Sequence, residues 1–333
     1  MTDRVSPEEG ASGGSTSGYS ARWLPLADGS GLTAVQLESP AGLTAQFVPA
    51  AGMVGCSLRH HGEQVLGMRG GLSAYLESAK TFGVPLLAPW ANRLSGDEYT
   101  VAGVTVDVTG VPGIHRDGNG LPIHGLLAAA SGWQVEELTA SGAGARCLAT
   151  LRFDRQRSEF PAFPFPHDLT VAVDLAESTM TVTTSVVALS DQPVPVAFGW
   201  HPYFALPGVP RSEWLLHHPF DTHVELSDLL LPTGETTPVS VADGPLADRT
   251  FDDLYANVAE GTTAWIAGGG RRISMSYLQG YPYAIVFAPG DQDLIALEPM
   301  TAPTAPFDRH FPVRLVEPGE SFSAVFAISL ADL

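Results

Sequence analysis

The sequence predicts an all-β fold: a large, single-domain antiparallel β-sandwich with few short helices. Three observations support this prediction. Several segments alternate apolar and polar residues with a period of two, which is typical of half-buried strands. The chain of 333 residues contains 35 glycines and 27 prolines, scattered between its apolar runs, which favours many turns. Long segments with the periodicity of amphipathic helices are missing from the sequence.

The clearest strand signal is a hairpin between Leu169 and Leu189. Apolar residues alternate with more polar ones from Leu169, the sequence AEST interrupts the pattern, and the alternation resumes at Met180. The segments RRISMSY, AIVFAP and FSAVFAISL are similarly rich in β-branched and aromatic residues bounded by Gly or Pro. These patterns predict further strands.

Two other segments predict local structure. Residues 43–66 have the pattern of a strand, a turn and a second strand, followed by a turn at His61-Gly62-Glu63. The segment FDDLYANVAE, residues 251–260, is compatible with a short helix.

The chain shows a single composition break, near its N-terminus. Residues 1–20 are rich in Ser, Gly and Glu, have no apolar core typical of a signal peptide, and predict a disordered tail. No internal repeat or linker follows, so residues 21–333 are expected to form one β-sandwich domain.

Charge and cysteine content restrict the environment and the partners. The formal net charge is −19, and Lys80 is the only lysine, so nucleic acid and anionic membranes are not expected partners. No segment approaches the roughly 18 apolar residues of a membrane span. Cys56 and Cys147 form neither a disulfide framework nor a CxxC metal motif. We expect a cytoplasmic protein, monomeric or homodimeric.

Two loop-like stretches place polar side chains between glycines and prolines. In GVPLLAPWANRLSG, Asn92 and Arg93 follow an apolar run, and arginine offers a planar fork of donors suited to carboxylates or sugar hydroxyls. In GLPIHGLLAAASGW, His124 precedes Gly125, which permits a tight turn or the close approach of a ligand. Taken singly, each residue is better explained by a structural role, Arg93 in an ion pair and His124 as a core histidine bonded to a carbonyl.

A third stretch, AFGWHPYFAL, contains His201. Pro202 cannot donate to a sheet, so regular pairing is expected to stop there and leave His201 at a strand end, facing a cleft. Trp200, Tyr203 and Phe204 are candidates for apolar walls against the C–H faces of a sugar, or for a plain aromatic core.

A fourth stretch, LIALEPMTAPTAPF, contains Glu298 after four apolar residues. A carboxylate at the end of a buried strand is costly unless it is paired or functional. Partial burial raises the pKa of a carboxyl group toward neutrality and makes it a better base.

The ordered set of PLLAPWANRLSG, PIHG, FPFPHDLTVAVDL, HPYF and LEP resembles the aldose 1-epimerases, also called galactose mutarotases. The likeness runs from about residue 40 to the C-terminus. A further patch, FDDLY, resembles the family's aspartate followed three positions later by an aromatic residue. This spacing selects Asp252 with Tyr255, and Asp253 is the second choice.

The resemblance implies a galactose-mutarotase-like supersandwich that interconverts the α and β anomers of a free aldohexose, such as galactose or glucose, without cofactor or metal. By resemblance, His201 is the general acid and Glu298 the general base, on opposite sides of the sugar. Asn92, Arg93, His124 and Asp252 are implied as substrate-binding residues.

The sequence departs from the family's pattern at two positions. No asparagine lies between Glu298-Pro299 and Phe307, and Ala205 stands where an asparagine usually follows HPYF. These departures leave the sugar preference open. The segment LLAAASG after His124-Gly125 lacks the arginine expected in hexose-6-phosphate 1-epimerases, although Arg59, Arg69 or Arg93 remain available for a phosphate.

Two alternatives from other functional classes remain. His124, His201 and Glu298 are the residue types of a His₂Glu zinc hydrolase, but they lack the HExxH spacing. A non-catalytic carbohydrate-binding protein of the same fold would keep the arginine and the aromatic residues without needing the acid and the base.

Overall fold

The structure, a computed structural model, describes residues 18–333. Its strands are β1 Ser20–Pro25, β2 Thr33–Glu38, β3 Leu43–Val48, β4 Val54–His60, β5 Glu63–Gln64, β6 Leu86–Leu87, β7 Glu98–Val101, β8 Val104–Asp107, β9 Gln134–Ala140, β10 Ala145–Phe153, β11 His167–Ala176, β12 Thr179–Ala188, β13 Val194–Val196, β14 Gly199–Trp200, β15 Tyr203–Phe204, β16 Leu215–His217, β17 Thr222–Leu226, β18 Pro232–Pro238, β19 Gly244–Pro245, β20 Phe251–Tyr255, β21 Thr262–Gly268, β22 Arg271–Gln279, β23 Tyr283–Ala288, β24 Ile295–Met300, β25 Arg314–Val316 and β26 Ser321–Asp332.

Helical structure in the described chain is short, as predicted. The α-helix α1 covers Gly71–Ser78, and the 3₁₀-helices cover Pro49–Ala51, Phe160–Ala162 and Arg211–Glu213. The helix predicted over residues 251–260 is wrong, because residues 251–255 form β20, which pairs along its length with β23. Pairing with the neighbouring strand outweighs a weak helical pattern.

Two large antiparallel sheets dominate the fold. One has nine strands in the order β19-β16-β21-β22-β26-β12-β11-β10-β9, and the other has eight, β18-β17-β20-β23-β24-β14-β6 with β15 paired to β24. A five-stranded sheet, β1 to β5 in order, and the pairs β7–β8 and β13–β25 complete the architecture. The predicted all-β class is therefore confirmed.

The predicted hairpin is present as β11 and β12. Leu175 pairs with Met180 across the turn, and β12 continues the sheet by pairing with β26. One side of each strand is buried: Val173 and Val182 are fully covered, while the alternate Thr181 is half-buried. The period-two pattern thus places every second residue in the core.

The main hydrophobic core lies between the two large sheets. It contains Val182 and Ile328 from the nine-stranded sheet, and Val286 and Leu297 from the eight-stranded sheet. Ile285, which alternates with Val286 on β23, belongs to a separate cluster on the other face of the eight-stranded sheet. The eight-stranded sheet therefore has an outer face, turned away from the main core.

The predicted tail falls mostly outside the described residues. Residues 1–17 are not described, while β1 already begins at Ser20, and the Tyr19 hydroxyl accepts a hydrogen bond from the Glu177 amide. Ser20, the last residue of the predicted tail, is therefore the first residue of a strand. Within residues 18–333, no helix has the length and apolar character needed to cross a bilayer.

Candidate active site

Glu298 lies on the outer face of the eight-stranded sheet. It was predicted to end a strand, but β24 continues through Pro299 to Met300, and Glu298 pairs with Ile285 of β23. Directly opposed residues of antiparallel strands share a face, so Glu298 and Ile285 lie on the side opposite Leu297. The carboxylate is 2% exposed.

His201 lies where two short strands are interrupted. β14 ends at Trp200 and β15 begins at Tyr203, so the pairing stops around His201-Pro202 as predicted. The His201 amide donates a hydrogen bond to the Pro85 carbonyl at 3.1 Å, which fixes the backbone at this break. The side chain is 7% exposed.

The two groups contact each other directly. The Nε2 atom of His201 lies 3.1 Å from Oε1 of Glu298. The expectation that they flank a sugar from opposite sides is wrong, because β15 pairs with β24 and brings them side by side. At this distance a proton can pass between imidazole and carboxyl once a hydrogen bond aligns.

The Tyr203 hydroxyl group links His201 to Thr81 and Arg69. It lies 3.1 Å from Nε2 of His201 and 2.7 Å from Oγ1 of Thr81, and it accepts a hydrogen bond from Arg69 Nη1 at 2.8 Å. The Tyr203 and His201 rings are stacked with centroids 4.2 Å apart. This arrangement holds the imidazole in one orientation against Glu298.

Burial favours the uncharged form of both members of the pair. It raises the pKa of Glu298 well above its usual range, and the Asp252 carboxylate raises it further. Burial likewise lowers the pKa of His201 well below its usual range, and the nearby His124 and Arg69 act in the same direction. Both shifts favour a protonated Glu298 carboxyl beside a neutral His201 imidazole, and transfer of the carboxyl proton to His201 would create the charged acid and base together.

Arg93 is anchored by two neighbours. Its Nε donates to Oδ2 of Asp117 at 2.6 Å, and its Nη1 donates to Oδ1 of Asn92 at 2.9 Å. Burial raises the pKa of Asp117, but the bonds from Arg93, Leu121 and Asn119 outweigh burial and lower it below the usual range. Arg93 thus has the structural ion pair that the sequence left open, and three of its five donors remain for a ligand.

His124 is held by the same segment. Its amide donates to the Asn92 carbonyl at 2.9 Å, and both residues have positive φ, 63° for His124 and 55° for Asn92. Gly125 follows with φ 70°, and a Cβ there would lie 2.1 Å from the Ala88 carbonyl oxygen. The tight turn predicted from this glycine is therefore present.

The His124 ring approaches the pair. Its centroid is 5.7 Å from that of His201, in an edge-on arrangement. Burial, reinforced by Arg93, lowers its pKa to about 3, so the ring is neutral at pH 7 and can donate from one nitrogen while accepting at the other.

The structure distinguishes Asp252 from Asp253. Asp252 pairs with Phe287, which also pairs with Ala296, so all three share the outer face with Glu298. Asp253 is on the inner face, where its Oδ1 lies 3.1 Å from Nε2 of His223. Asp252 is exposed at the rim, yet desolvation by the surrounding protein raises its pKa.

The floor of the site carries polar atoms without partners. Nδ1 of His124, Nδ1 of His201 and Oε2 of Glu298 are buried and make no hydrogen bond within the described chain. Such atoms are uncommon in folded proteins because each costs free energy. Three of them in one place indicate a ligand that supplies donors and acceptors.

The site deepens from an exposed rim to a covered floor. Asp252 and Arg69 are exposed, Arg93 is half-buried, and Glu298 is almost fully covered. Concavities of about 580 and 490 Å³ lie elsewhere on the protein and are lined by neither His201 nor Glu298. We call this region, from the exposed Asp252 and Arg69 to the buried Glu298 and His201, the recess.

Sequence reasoning placed the aromatic walls only in part. Trp200 and Phe204 are buried in the main core, where the Trp200 indole donates to Thr184, so only Tyr203 of that predicted set contacts His201. Phe287, which the sequence did not single out, lies edge-on to His201 with centroids 6.0 Å apart. The only sequence signal for Phe287 was its position in AIVFAP. That segment predicts a strand but does not indicate on which face of the sheet the Phe287 side chain lies.

The ligand geometry of a zinc hydrolase is not present among His124, His201 and Glu298. Within residues 18–333, the one group of three His, Cys, Asp or Glu residues whose ligand atoms lie within 4.8 Å of one another is elsewhere.

Comparison with known families agrees with this geometry. The sequence profile of the family described as aldose 1-epimerase matches residues 33–329. The chain belongs to the aldose 1-epimerase family. No curated protein matches its sequence.

Solved structures resemble this aldose 1-epimerase family member over nearly its whole length. A galactose mutarotase-like protein from Clostridium acetobutylicum has a TM-score of 0.81 at 19% identity, covering 95% of this chain and 98% of its own. Galactose 1-epimerase from Lactobacillus acidophilus has a TM-score of 0.73 at 14% identity, and the match covers 94% of this chain and 98% of that protein. A galactose mutarotase-like protein from Lactobacillus casei has a TM-score of 0.69 at 16% identity, and the match covers 90% of this chain and 100% of that protein. At these identities the likeness shows the fold, the supersandwich that the sequence resemblance implied.

Proposed function

We propose that this protein is an aldose 1-epimerase that interconverts the α and β anomers of a free aldohexose, with galactose and glucose as the first candidates. The observation that carries the proposal is the 3.1 Å contact between His201 Nε2 and Glu298 Oε1 at the floor of a recess. Family membership supports an epimerase, and this contact supplies the acid and base that anomer exchange needs.

Ring opening moves two protons at one carbon. The C1 hydroxyl of the sugar must lose a proton, and the ring oxygen on the same carbon must gain one. In the charged form of the pair, the Glu298 carboxylate accepts the hydroxyl proton while the His201 imidazolium donates to the ring oxygen. The C1–O ring bond breaks, an aldehyde forms at C1, and rotation about C1–C2 presents its other face before the reverse steps close the ring.

Side-by-side placement suits this reaction better than opposite sides would. The two sugar oxygens are bonded to the same carbon, so the groups that serve them must also be neighbours. His201 donates one proton to the ring oxygen, and Glu298 accepts one from the C1 hydroxyl. The number of protons on the pair is therefore unchanged after ring opening. No redox step or group transfer is involved.

The remaining polar groups are proposed to orient the sugar. In this proposal the unpartnered Nδ1 of His124, whose ring lies 5.7 Å from that of His201, and the remaining donors of Arg93 bind sugar oxygens, and Asp252 accepts from hydroxyl groups at the rim. Because Arg93 is held by Asp117 and Asn92, it is already oriented before substrate arrives, which lowers the entropy cost of binding.

A phosphorylated aldose is the second candidate, favoured by one observation. Arg69 is exposed at the rim, contacts Tyr203, and its charge reaches both His124 and His201. A guanidinium in this position suits an anionic substituent. Hexose 6-phosphates therefore belong in the substrate panel.

Polarimetry tests the proposal directly. Freshly dissolved α-galactose, α-glucose and their 6-phosphates are followed to the anomeric equilibrium with and without enzyme, in dilute buffer that keeps the spontaneous reaction slow. We expect acceleration with at least one sugar, and loss of it in Glu298→Gln. Binding of a sugar, measured by calorimetry, without faster equilibration would instead show a non-catalytic carbohydrate-binding protein.

A further inference from the structure

A second cluster of ionisable side chains lies where the C-terminal strand meets the five-stranded sheet. His60 is the last residue of β4, His61 begins the following turn, and Asp332 is the last residue of β26. Nδ1 of His60 lies 3.8 Å from Oδ1 of Asp332, and Nε2 of His61 lies 3.4 Å from Oδ2. All three potential ligand atoms lie within 4.8 Å of one another.

We propose that His60, His61 and Asp332 form a binding site for a zinc-class divalent cation, separate from the recess that holds Glu298 and His201. Zinc binds imidazole nitrogen and carboxylate oxygen at about 2.0–2.2 Å, so tetrahedral ligands stand about 3.4 Å apart. The His61–Asp332 distance of 3.4 Å matches this spacing, and the His60–Asp332 distance of 3.8 Å is slightly longer.

The buried nitrogen of His60 is an independent indication of a ligand. His60 is 2% exposed, and its Nδ1 makes no hydrogen bond within the described chain although it faces the Asp332 carboxylate. A cation between this nitrogen and the carboxylate would satisfy both.

The backbone around His61 is built to hold its ring near the carboxylate. His61 has φ 51°, and its amide donates to the Gly42 carbonyl at 2.9 Å. A Cβ at Gly42 would lie 2.4 Å from Nδ1 of His61, so only glycine leaves room for the ring there. Nε2, on the far side of the ring, is left to face Asp332.

The neighbouring arginine does not neutralise the carboxylate. Arg271 pairs with Asp332 in the β22–β26 register, but its guanidinium donates to Glu63 at 2.6 Å. Asp332 is 66% exposed and remains available to a cation. Two imidazoles and one carboxylate select zinc, nickel or copper over magnesium, which prefers oxygen ligands.

Isothermal titration calorimetry of the untagged chain with ZnCl₂ at pH 7.5 tests the site, with MgCl₂ titrated in parallel. We expect one Zn²⁺ per chain, no heat with Mg²⁺, and a rise of a few degrees in the unfolding midpoint when zinc is in excess. His61→Ala and Asp332→Asn, both at exposed positions, should weaken binding by about tenfold or more.

His217→Ala is the matched control. His217 also follows an apolar strand segment, precedes a second histidine and lies 2.7 Å from an aspartate, Asp243. We expect its zinc affinity to equal that of the wild type. Absence of stoichiometric zinc binding, or equal affinity in His61→Ala, Asp332→Asn and His217→Ala, would overturn the proposal.

Discussion

Replacing Glu298 by glutamine tests the shared proton of the catalytic pair. Gln has the same shape as Glu, so the packing on the outer face of β24 is preserved, but it cannot accept the C1 proton. The groups are 3.1 Å apart, and the proposed mechanism charges His201 with the proton of the Glu298 carboxyl, so losing the carboxyl also removes the source of that charge. One substitution therefore disables both steps.

The magnitude follows from this coupling. A positioned acid or base contributes about 10²–10⁴-fold to the rate, or roughly 3–5 kcal/mol of barrier. Independent groups would make the double variant Glu298→Gln/His201→Asn as slow as the product of the single losses. Because these two act as a unit, we expect each single variant and the double variant to fall by a similar factor, about 10³-fold.

Polarimetry on the best sugar of the panel measures the three rates, and thermal unfolding checks each fold. Asp253→Asn, which changes an acidic residue on the opposite face of the same sheet, is the control and should keep the wild-type rate. A single variant with near-wild-type turnover, or losses that multiply in the double variant, would refute the shared-proton reasoning.

Three further predictions follow from the contacts of the site. Asp252→Asn should raise KM about tenfold, as expected for one lost hydrogen bond to a charged group, whereas Asp253→Asn should leave KM unchanged in the same assay. Tyr203→Phe removes the hydroxyl beside His201 and should lower kcat about tenfold with little change in KM; equal kcat values would contradict a positioning role. The depressed pKa of His124, about 3, means that the unfolded chain binds a proton below pH 6.5 that the folded chain refuses, so stability should fall as pH drops from 6.5 toward 3. His124→Asn, in which asparagine tolerates the positive φ, should reduce that slope by about 1.4 kcal/mol per pH unit in urea titrations at pH 6, 5 and 4; an unchanged slope would contradict the buried neutral ring.

Local pattern predicted much of the fold. The hairpin of β11 and β12 was readable because alternation of covered and half-exposed residues is a property of adjacent positions on one chain. The helix expected over residues 251–260 failed for the opposite reason. There, pairing with β23 decides the conformation, and β23 lies some thirty residues away.

Some features of the candidate site also follow from local sequence, whereas others depend on contacts between remote residues. Pro202 predicted the interruption at His201 because a missing amide proton acts locally. Contacts between remote residues could not be predicted. Asp117, which binds Arg93, lies 24 residues further along the chain, and Arg69 and Tyr203 are 134 residues apart. The choice of Asp252 over Asp253 depends on which face of β20 is turned outward, and a strand pattern does not give that.

The sequence by itself determined the all-β class, the family resemblance and the residue types available for acid–base chemistry, because these are written in neighbouring residues and ordered motifs. Only the tertiary structure decided that Glu298 and His201 touch, that both are buried, and that His60, His61 and Asp332 converge. Contact and burial come from strand pairing between segments remote along the chain. Contact and burial both shift the pKa of an ionisable side chain, so the residue type alone does not give its charge state.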